Sequence, residues 1–80
     1  MALITNSNAL NTAFSPATGA FVVEVGGARV DLYRRVSGGE WRKCGTIENG
    51  QSCDVPNSVA GFEYRFVVSG NGTATVAAYQ

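Results

Sequence analysis

The chain has 80 residues, of which 45% are hydrophobic and 15% are charged, and its formal net charge is zero. This length fits one domain. A folded chain of this size buries only about 60% of the surface that its unfolded form exposes, so its core is marginal and partner contacts would add stability. The balanced charge argues against a dedicated nucleic-acid binder, and the absence of histidine removes the commonest general base and metal ligand.

The first 19 residues differ from the rest of the chain. They carry no charge, are rich in Asn, Ser, Thr and Ala, and end near Pro16 and Gly19. Their sparse apolar side chains follow neither the period of a strand nor that of a helix. These side chains are Leu3, Ile4, Leu10 and Phe14. The segment is therefore either a first strand and a loop packed on its own sandwich, or an extended arm laid on a neighbouring subunit.

After this arm, short stretches of alternating apolar and polar residues are separated by turn residues. Phe21, Val23 and Val25 share one face of the first stretch, and Val30 and Leu32 point inward from the second. The predicted strands span residues 21–25, 28–36, 40–47, 51–55, 61–68 and 73–79. The inward-facing side chains of these strands are expected to form the core.

Six or seven short strands at this spacing, with ten glycines for tight turns and no helical pattern, indicate an all-β fold. We expect a small single-domain antiparallel β-sandwich or barrel, Ig-like or jelly-roll-like, with an extended N-terminal arm. The arm spans residues 1–19 and the sandwich domain residues 20–80.

Cys44 and Cys53 are the only cysteines, and they flank the turn residues Asn49 and Gly50. A two-residue type I′ turn there pairs Cys44 with Val55 and leaves the thiols diagonal, too far apart for an easy bridge. A four-residue loop instead places Cys44 directly opposite Cys53. The chain opens without a signal-peptide pattern and has no apolar run of membrane-spanning length, so we expect cytoplasmic synthesis, which favours free thiols.

Four of the six basic residues lie on one predicted hairpin, which turns at residues 37–39; they are Arg34, Arg35, Arg42 and Lys43. A two-residue turn would place Arg35 opposite Arg42, and like charges in that position repel unless an acidic group lies nearby. The cluster is either a solvated edge partly balanced by Asp31 and Glu40, or a contact for an acidic protein surface.

No constellation of residues points to catalysis. The carboxylates are scattered over different strands and turns, and the serines lack a histidine base. We expect no catalytic residue, no cofactor and no metal. Trp41, Tyr33, Tyr64 and Tyr79 form either an aromatic platform for a sugar or ordinary core and rim packing.

An uncharged arm from Ala2 to Gly19, one glycine-rich β-sandwich and a closing strand at 73–80 resemble the small accessory structural proteins of tailed bacteriophage virions, notably capsid decoration or cement proteins. The resemblance implies a non-enzymatic virion protein, assembled in the host cytoplasm, that binds the outer surface of a capsid and ties neighbouring capsomers together. It implies the major capsid protein or another virion protein as partner. A homo-oligomer is expected, with a trimer favoured, and neither a membrane nor a specific nucleic acid as partner.

In this hypothesis Leu3, Ile4, Leu10 and Phe14 anchor the arm on a neighbour, and the basic cluster meets acidic residues of the shell. An arm without charge can add backbone hydrogen bonds to a neighbouring sheet edge. Three alternatives stay open: a tail, fibre or head-completion component, a glycan-binding host-recognition module, and an Ig-like adhesion domain that would need an export route.

Overall fold

A computed structural model describes residues 2–4 (backbone only), 12–59, 61–70, 72 and 74–80. These residues form two antiparallel sheets packed face to face as a small sandwich and contain no helix. The predicted fold class, an all-β antiparallel sandwich of short strands, is therefore confirmed.

Seven strands occur in the described part of the chain: β1 (Ala2–Ile4), β2 (Phe21–Gly26), β3 (Val30–Val36), β4 (Arg42–Ile47), β5 (Ser52–Val55), β6 (Phe62–Val68) and β7 (Thr75–Tyr79). One sheet has four strands in the order β1-β7-β2-β5, and the other has three in the order β4-β3-β6. Every neighbouring pair of strands is antiparallel.

The core lies between the two sheets and follows the alternation of the sequence. Phe21, Val23 and Val25 of β2 are buried, as are Val30 and Leu32 of β3, which confirms the predicted inward faces. The remaining buried hydrophobic residues are Ile47, Tyr64, Phe66, Ala74, Val76 and Ala78. Each large side chain buried in this way contributes about 1.5–3 kcal/mol, so the interleaved faces hold the two sheets together.

The connection between β4 and β5 crosses from one sheet to the other, so the predicted pairing of these strands around Asn49 and Gly50 is wrong. Gly50 has a φ of +81°, and its N–H donates to the carbonyl of Val25 at 2.9 Å. The side-chain oxygen of Asn49 accepts a hydrogen bond from Gly27 N at 2.8 Å. Because these bonds attach the turn to the end of β2, the chain continues along β2 as β5.

The hairpin of β3 and β4 is one residue out of the predicted register. Arg34, rather than Arg35, lies opposite Arg42, and a bulge interrupts the ladder further along. The turn is wider than predicted because it closes through a 2.7 Å hydrogen bond from Gly39 N to Val36 O, and two further residues precede β4. A shift of one residue moves side chains to the opposite face of a sheet, so the register decides which cations share a face.

The described part of the predicted arm lies against its own sandwich. Phe14 and Tyr64 exchange two backbone hydrogen bonds of 2.9 Å, which places Phe14 on the free edge of β6. The Phe14 ring stacks on Phe66 at 5.5 Å and meets Phe21 edge-on at 5.8 Å. Residues 2–4 pair through their backbone with β7.

Asn57 is a buried polar residue that ties this segment to the core. Its side-chain nitrogen donates to the carbonyls of Pro16 (3.3 Å) and Ala17 (2.8 Å), and its side-chain oxygen accepts from the Tyr64 hydroxyl at 3.1 Å. Its backbone carbonyl accepts from Gly19 N at 2.7 Å. Because a buried amide without partners is costly, the three bonds of Asn57 with Pro16, Ala17 and Gly19 fix the course of residues 16–19.

Candidate functional site

The structure brings the four predicted basic residues together around one groove at the turn end of β3 and β4. This groove, which we call the basic groove, has a volume of about 660 Å³. Its lining includes Arg34, Arg35, Arg42, Lys43, Glu40 and Phe62. The four cations of the predicted hairpin thus line one space, although the register differs from the predicted one.

Two of these cations are neutralised by carboxylates. Arg35 Nε lies 2.7 Å from Glu63 Oε1, and the two side chains are only 29% and 24% exposed. Lys43 Nζ lies 3.4 Å from Asp31, whose carboxylate also accepts a hydrogen bond from Thr46. The short, partly buried pair holds the Arg35 side chain in place, and Asp31 offsets the charge of the half-exposed Lys43, so neither cation adds an unbalanced charge to the groove.

Arg34 and Arg42 are the exposed cations of the groove without a close carboxylate. Arg42 lies 3.9 Å from Glu40, but the two side chains are 82% and 89% exposed, and ion pairs of this kind contribute little. The Arg34 guanidinium lies 4.7 Å from the centroid of the Phe62 ring and forms no ion pair with any described residue. The groove therefore presents two arginines whose charge is not internally balanced.

Arginines also stack on an aromatic ring next to the groove. The guanidinium carbons of Arg35 and Arg65 lie 4.4 and 4.6 Å from the centroid of the Trp41 ring, and Arg65 lies 6.0 Å from the ring of Tyr33. Arg65 Nε is buried and has no hydrogen-bond partner among the described residues. Cation–π contacts therefore hold Trp41 at the rim of the three-stranded sheet.

The four aromatic residues of the suggested sugar platform are not brought together. Tyr64 is fully buried in the core, and Tyr79 belongs to β7 in the other sheet. Only Tyr33 and Trp41 are neighbours, and two guanidinium groups lie over the Trp41 ring. The arrangement therefore gives no support to a sugar-stacking surface.

The two cysteines are free thiols on different sheets, so both geometries considered for a hairpin bridge are wrong. Burial raises the pKa of the Cys44 thiol, and the nearby charge of Arg34 only partly opposes this effect. Burial and then the charge of Asp54 raise the pKa of Cys53. A raised pKa lowers the fraction of thiolate, so neither cysteine has the character of an activated nucleophile.

The predicted arm anchors are only partly described. Leu3 and Ile4 contribute backbone to β1, whereas their side chains and the whole of Leu10 lie outside the described residues. Phe14 packs against the core of its own chain. Contact of the arm with a neighbouring subunit stays a prediction.

Residues of β6 complete the site, and sequence reasoning did not assign them to it. β6 pairs with β3, which places Glu63 opposite Arg35 and Arg65 opposite Tyr33. The alternating pattern predicted a strand over residues 61–68. It did not show that β3 and β6, which are separated by two strands along the chain, are neighbours, so a carboxylate for Arg35 could not be named.

Among the described residues, no three His, Cys, Asp or Glu side chains cluster in the manner of a metal site. Those residues also include no helix long and apolar enough to cross a membrane. No family model, curated protein or solved structure matches this chain. The geometry of the basic groove is thus the feature on which a function can be argued.

Proposed function

We propose that this protein is a non-enzymatic structural component of a virion, and that it binds an acidic surface of the assembled capsid through the basic groove. The observation that carries the proposal is the exposure of Arg34 and Arg42 at one groove, without a strong internal partner for either charge. Carboxylates of a neighbouring protein would supply the missing partners.

Charge is divided unequally between the two sheets. The strands of the four-stranded sheet carry two carboxylates, Glu24 and Asp54, and no basic residue. The strands of the three-stranded sheet carry five of the six basic residues. A neutral chain with this division would meet an acidic surface in one preferred orientation, because the field of the whole molecule steers the encounter.

Repetition would compensate for a weak contact. A capsid presents the same surface many times, and a homo-oligomer, with a trimer favoured, would engage several copies at once. Such contacts would also stabilise an 80-residue domain by mass action. The major capsid protein, or another virion protein with an acidic surface, is the partner in this proposal, and ties between neighbouring capsomers are its consequence.

Purified particles provide the first test. Quantitative mass spectrometry of particles isolated by density gradient should find this protein at a copy number that scales with the number of capsomers. A copy number that matches a single vertex would favour the alternative of a head-completion or tail component. Absence of the protein from such particles would contradict a virion function.

A pair of matched variants tests the groove itself. Arg42→Glu should reduce occupancy on particles, because it reverses an exposed charge in the groove. Arg29→Glu makes the same change in charge outside the groove, where the Arg29 side chain lies 4.0 Å from Glu48, and should retain occupancy. Binding of the wild type should fall as salt rises. Equal occupancy of the two variants would contradict the assignment of the groove.

A further inference from the structure

A gap lies between the two sheets where β4 and β5 form their edges. Its volume is about 250 Å³, and its lining includes Leu32, Gly45, Ile47, Val55, Pro56 and Tyr64. For scale, an apolar cavity of about 150 Å³ in a protein core is large enough to bind benzene. The gap is thus large enough for one bulky apolar side chain.

The gap exists because a glycine stands where a core side chain could be. Gly45 pairs with the buried Leu32 across the β3–β4 ladder. A Cβ atom added to Gly45 would have no heavy atom within 4 Å, and its backbone does not lie in the left-handed region. Neither close packing nor backbone conformation therefore requires glycine at this position.

The gap lies beside the basic groove. Arg34 and Cys44 line both spaces. Asp54 also lines the gap, so the charge near its mouth is mixed, but Arg34 and Arg42, whose charges are not internally balanced, line the groove. An apolar group in the gap would therefore have positive charge on one side of it.

We propose that the gap receives one large apolar side chain from an acidic segment of the partner protein, whose carboxylates lie beside it on Arg34 and Arg42. This inference rests on the proposed function, because it names the feature that the groove recognises on an acidic surface. A single buried anchor surrounded by polar contacts is the usual distribution of binding energy in an interface. The charge supplies orientation, and the anchor supplies most of the affinity.

Anchoring by a side chain fits this edge better than addition of a strand. β4 has a bulge in its ladder with β3 and carries Lys43, and both features discourage pairing with another strand. β5 is only four residues long and is followed by Pro56, which has no N–H to donate. The backbone edges are protected, while the space between them is not filled.

Three pentapeptides can probe the gap by titration into 15N-labelled protein. The first has a central phenylalanine flanked by aspartate and glutamate, the second has alanine at the centre, and the third has lysines around phenylalanine. We expect the first to shift amide resonances of Cys44–Ile47 and Cys53–Val55 and to bind about tenfold more tightly than the second, the factor that corresponds to a loss of ~1.4 kcal/mol for a truncated anchor. The third should bind least.

A variant that fills the gap from within is the decisive control. Gly45→Leu should weaken the binding of the acidic phenylalanine peptide about tenfold, to the affinity of the alanine peptide. Gly26→Leu is the matched control, because an added Cβ there also has no atom within 4 Å but belongs to the other sheet. In the wild type, the acidic phenylalanine peptide should slow alkylation of Cys44 and Cys53. This measurement does not depend on the folding of any variant.

The two proposals fail in different ways. The first and second peptides have acidic flanks. If both bind equally to the wild type and to Gly45→Leu, with shifts confined to the basic groove, the proposed apolar anchor is wrong, while the proposed binding to an acidic surface is retained. If the lysine peptide binds as tightly as the acidic ones, or if neither acidic peptide binds, both proposals are overturned.

Discussion

The two edges of the three-stranded sheet differ, because one is closed and the other is open. At the β6 edge, Phe14 forms two backbone hydrogen bonds with Tyr64 and places its ring against Phe21 and Phe66. At the β4 edge, the described residues leave a gap of about 250 Å³ beside Gly45. One edge is covered by an aromatic side chain of the same chain, and the other has a glycine beside an unfilled space.

The difference shows how a small sandwich can combine a stable core with an unfilled space. A domain of this size has little apolar surface to spare, so the closed edge has to supply much of its stability. The open edge can then carry a site whose occupation costs no rearrangement of the core. On this view, an apolar anchor of the partner would do at β4 what Phe14 does at β6.

Removal of the aromatic ring from the closed edge should have the largest effect. Phe14→Ala should lower the free energy of unfolding by about 3 kcal/mol, because it leaves a cavity among three aromatic rings. Urea denaturation followed by tryptophan fluorescence measures this loss. Val36→Ala is the control, since Val36 is 64% exposed and its truncation should change stability by less than ~0.5 kcal/mol. Equal stability of the two variants would show that Phe14 is not part of the core.

A smaller loss is expected when the buried hydrogen bond behind Phe14 is removed. Tyr64→Phe deletes the hydroxyl that donates to Asn57 at 3.1 Å and leaves a buried amide oxygen short of a partner, at a cost of about 1–2 kcal/mol. Tyr79→Phe, at an exposed position of β7, should be neutral in the same denaturation experiment. A neutral Tyr64→Phe would mean that the Asn57 oxygen finds another donor.

The open edge should respond in the opposite direction. Gly45→Ala should raise the free energy of unfolding by about 0.5–1 kcal/mol, because the new methyl group meets no atom and the unfolded chain loses freedom. Gly38→Ala should lower it by about 1 kcal/mol, because Gly38 has a φ of +80°. Thermal denaturation of the two variants compares these signs. A destabilising Gly45→Ala would contradict the unfilled space.

The thiols of the open edge should give the smallest effect, and it depends on pH. Burial raises the pKa of Cys44 and Cys53 in the folded state, so the unfolded chain releases these protons at lower pH than the folded chain. Their contribution to stability is complete below the ordinary thiol pKa of about 8.5 and is lost as pH rises through the raised values. Urea midpoints should therefore fall less with pH in Cys44→Ser/Cys53→Ser than in the wild type. Urea midpoints that fall equally with pH in the wild type and in the double variant would refute this expectation.

Local pattern was enough to predict the buried faces of β2 and β3. The burial of Phe21 and Val23 and the inward direction of Leu32 follow from alternation within single strands. The gathering of Arg34 with Arg42 follows from their nearness along one hairpin. The register of the β3–β4 hairpin could not be predicted, because the width of its turn depends on the hydrogen bond between Gly39 and Val36 rather than on residue type.

Other features of the site depend on contacts between distant parts of the chain. The pattern at Asn49 and Gly50 is typical of a hairpin turn, yet their hydrogen bonds reach the end of β2 and send β5 into the other sheet. In the sequence, Asn57 is predicted only as part of a strand break next to a proline. Its buried hydrogen bonds with Pro16 and Tyr64 depend on the folded chain.

By itself the sequence determined an all-β chain, the inward faces of β2 and β3 and the location of its basic residues, because a strand's two-residue period and a hairpin's charges are local properties. Tertiary structure alone decided the order of the strands, the separation of β4 from β5 and the unfilled space beside Gly45. These depend on which backbone groups find partners far along the chain, and on whether a side chain from elsewhere fills the space between the sheets.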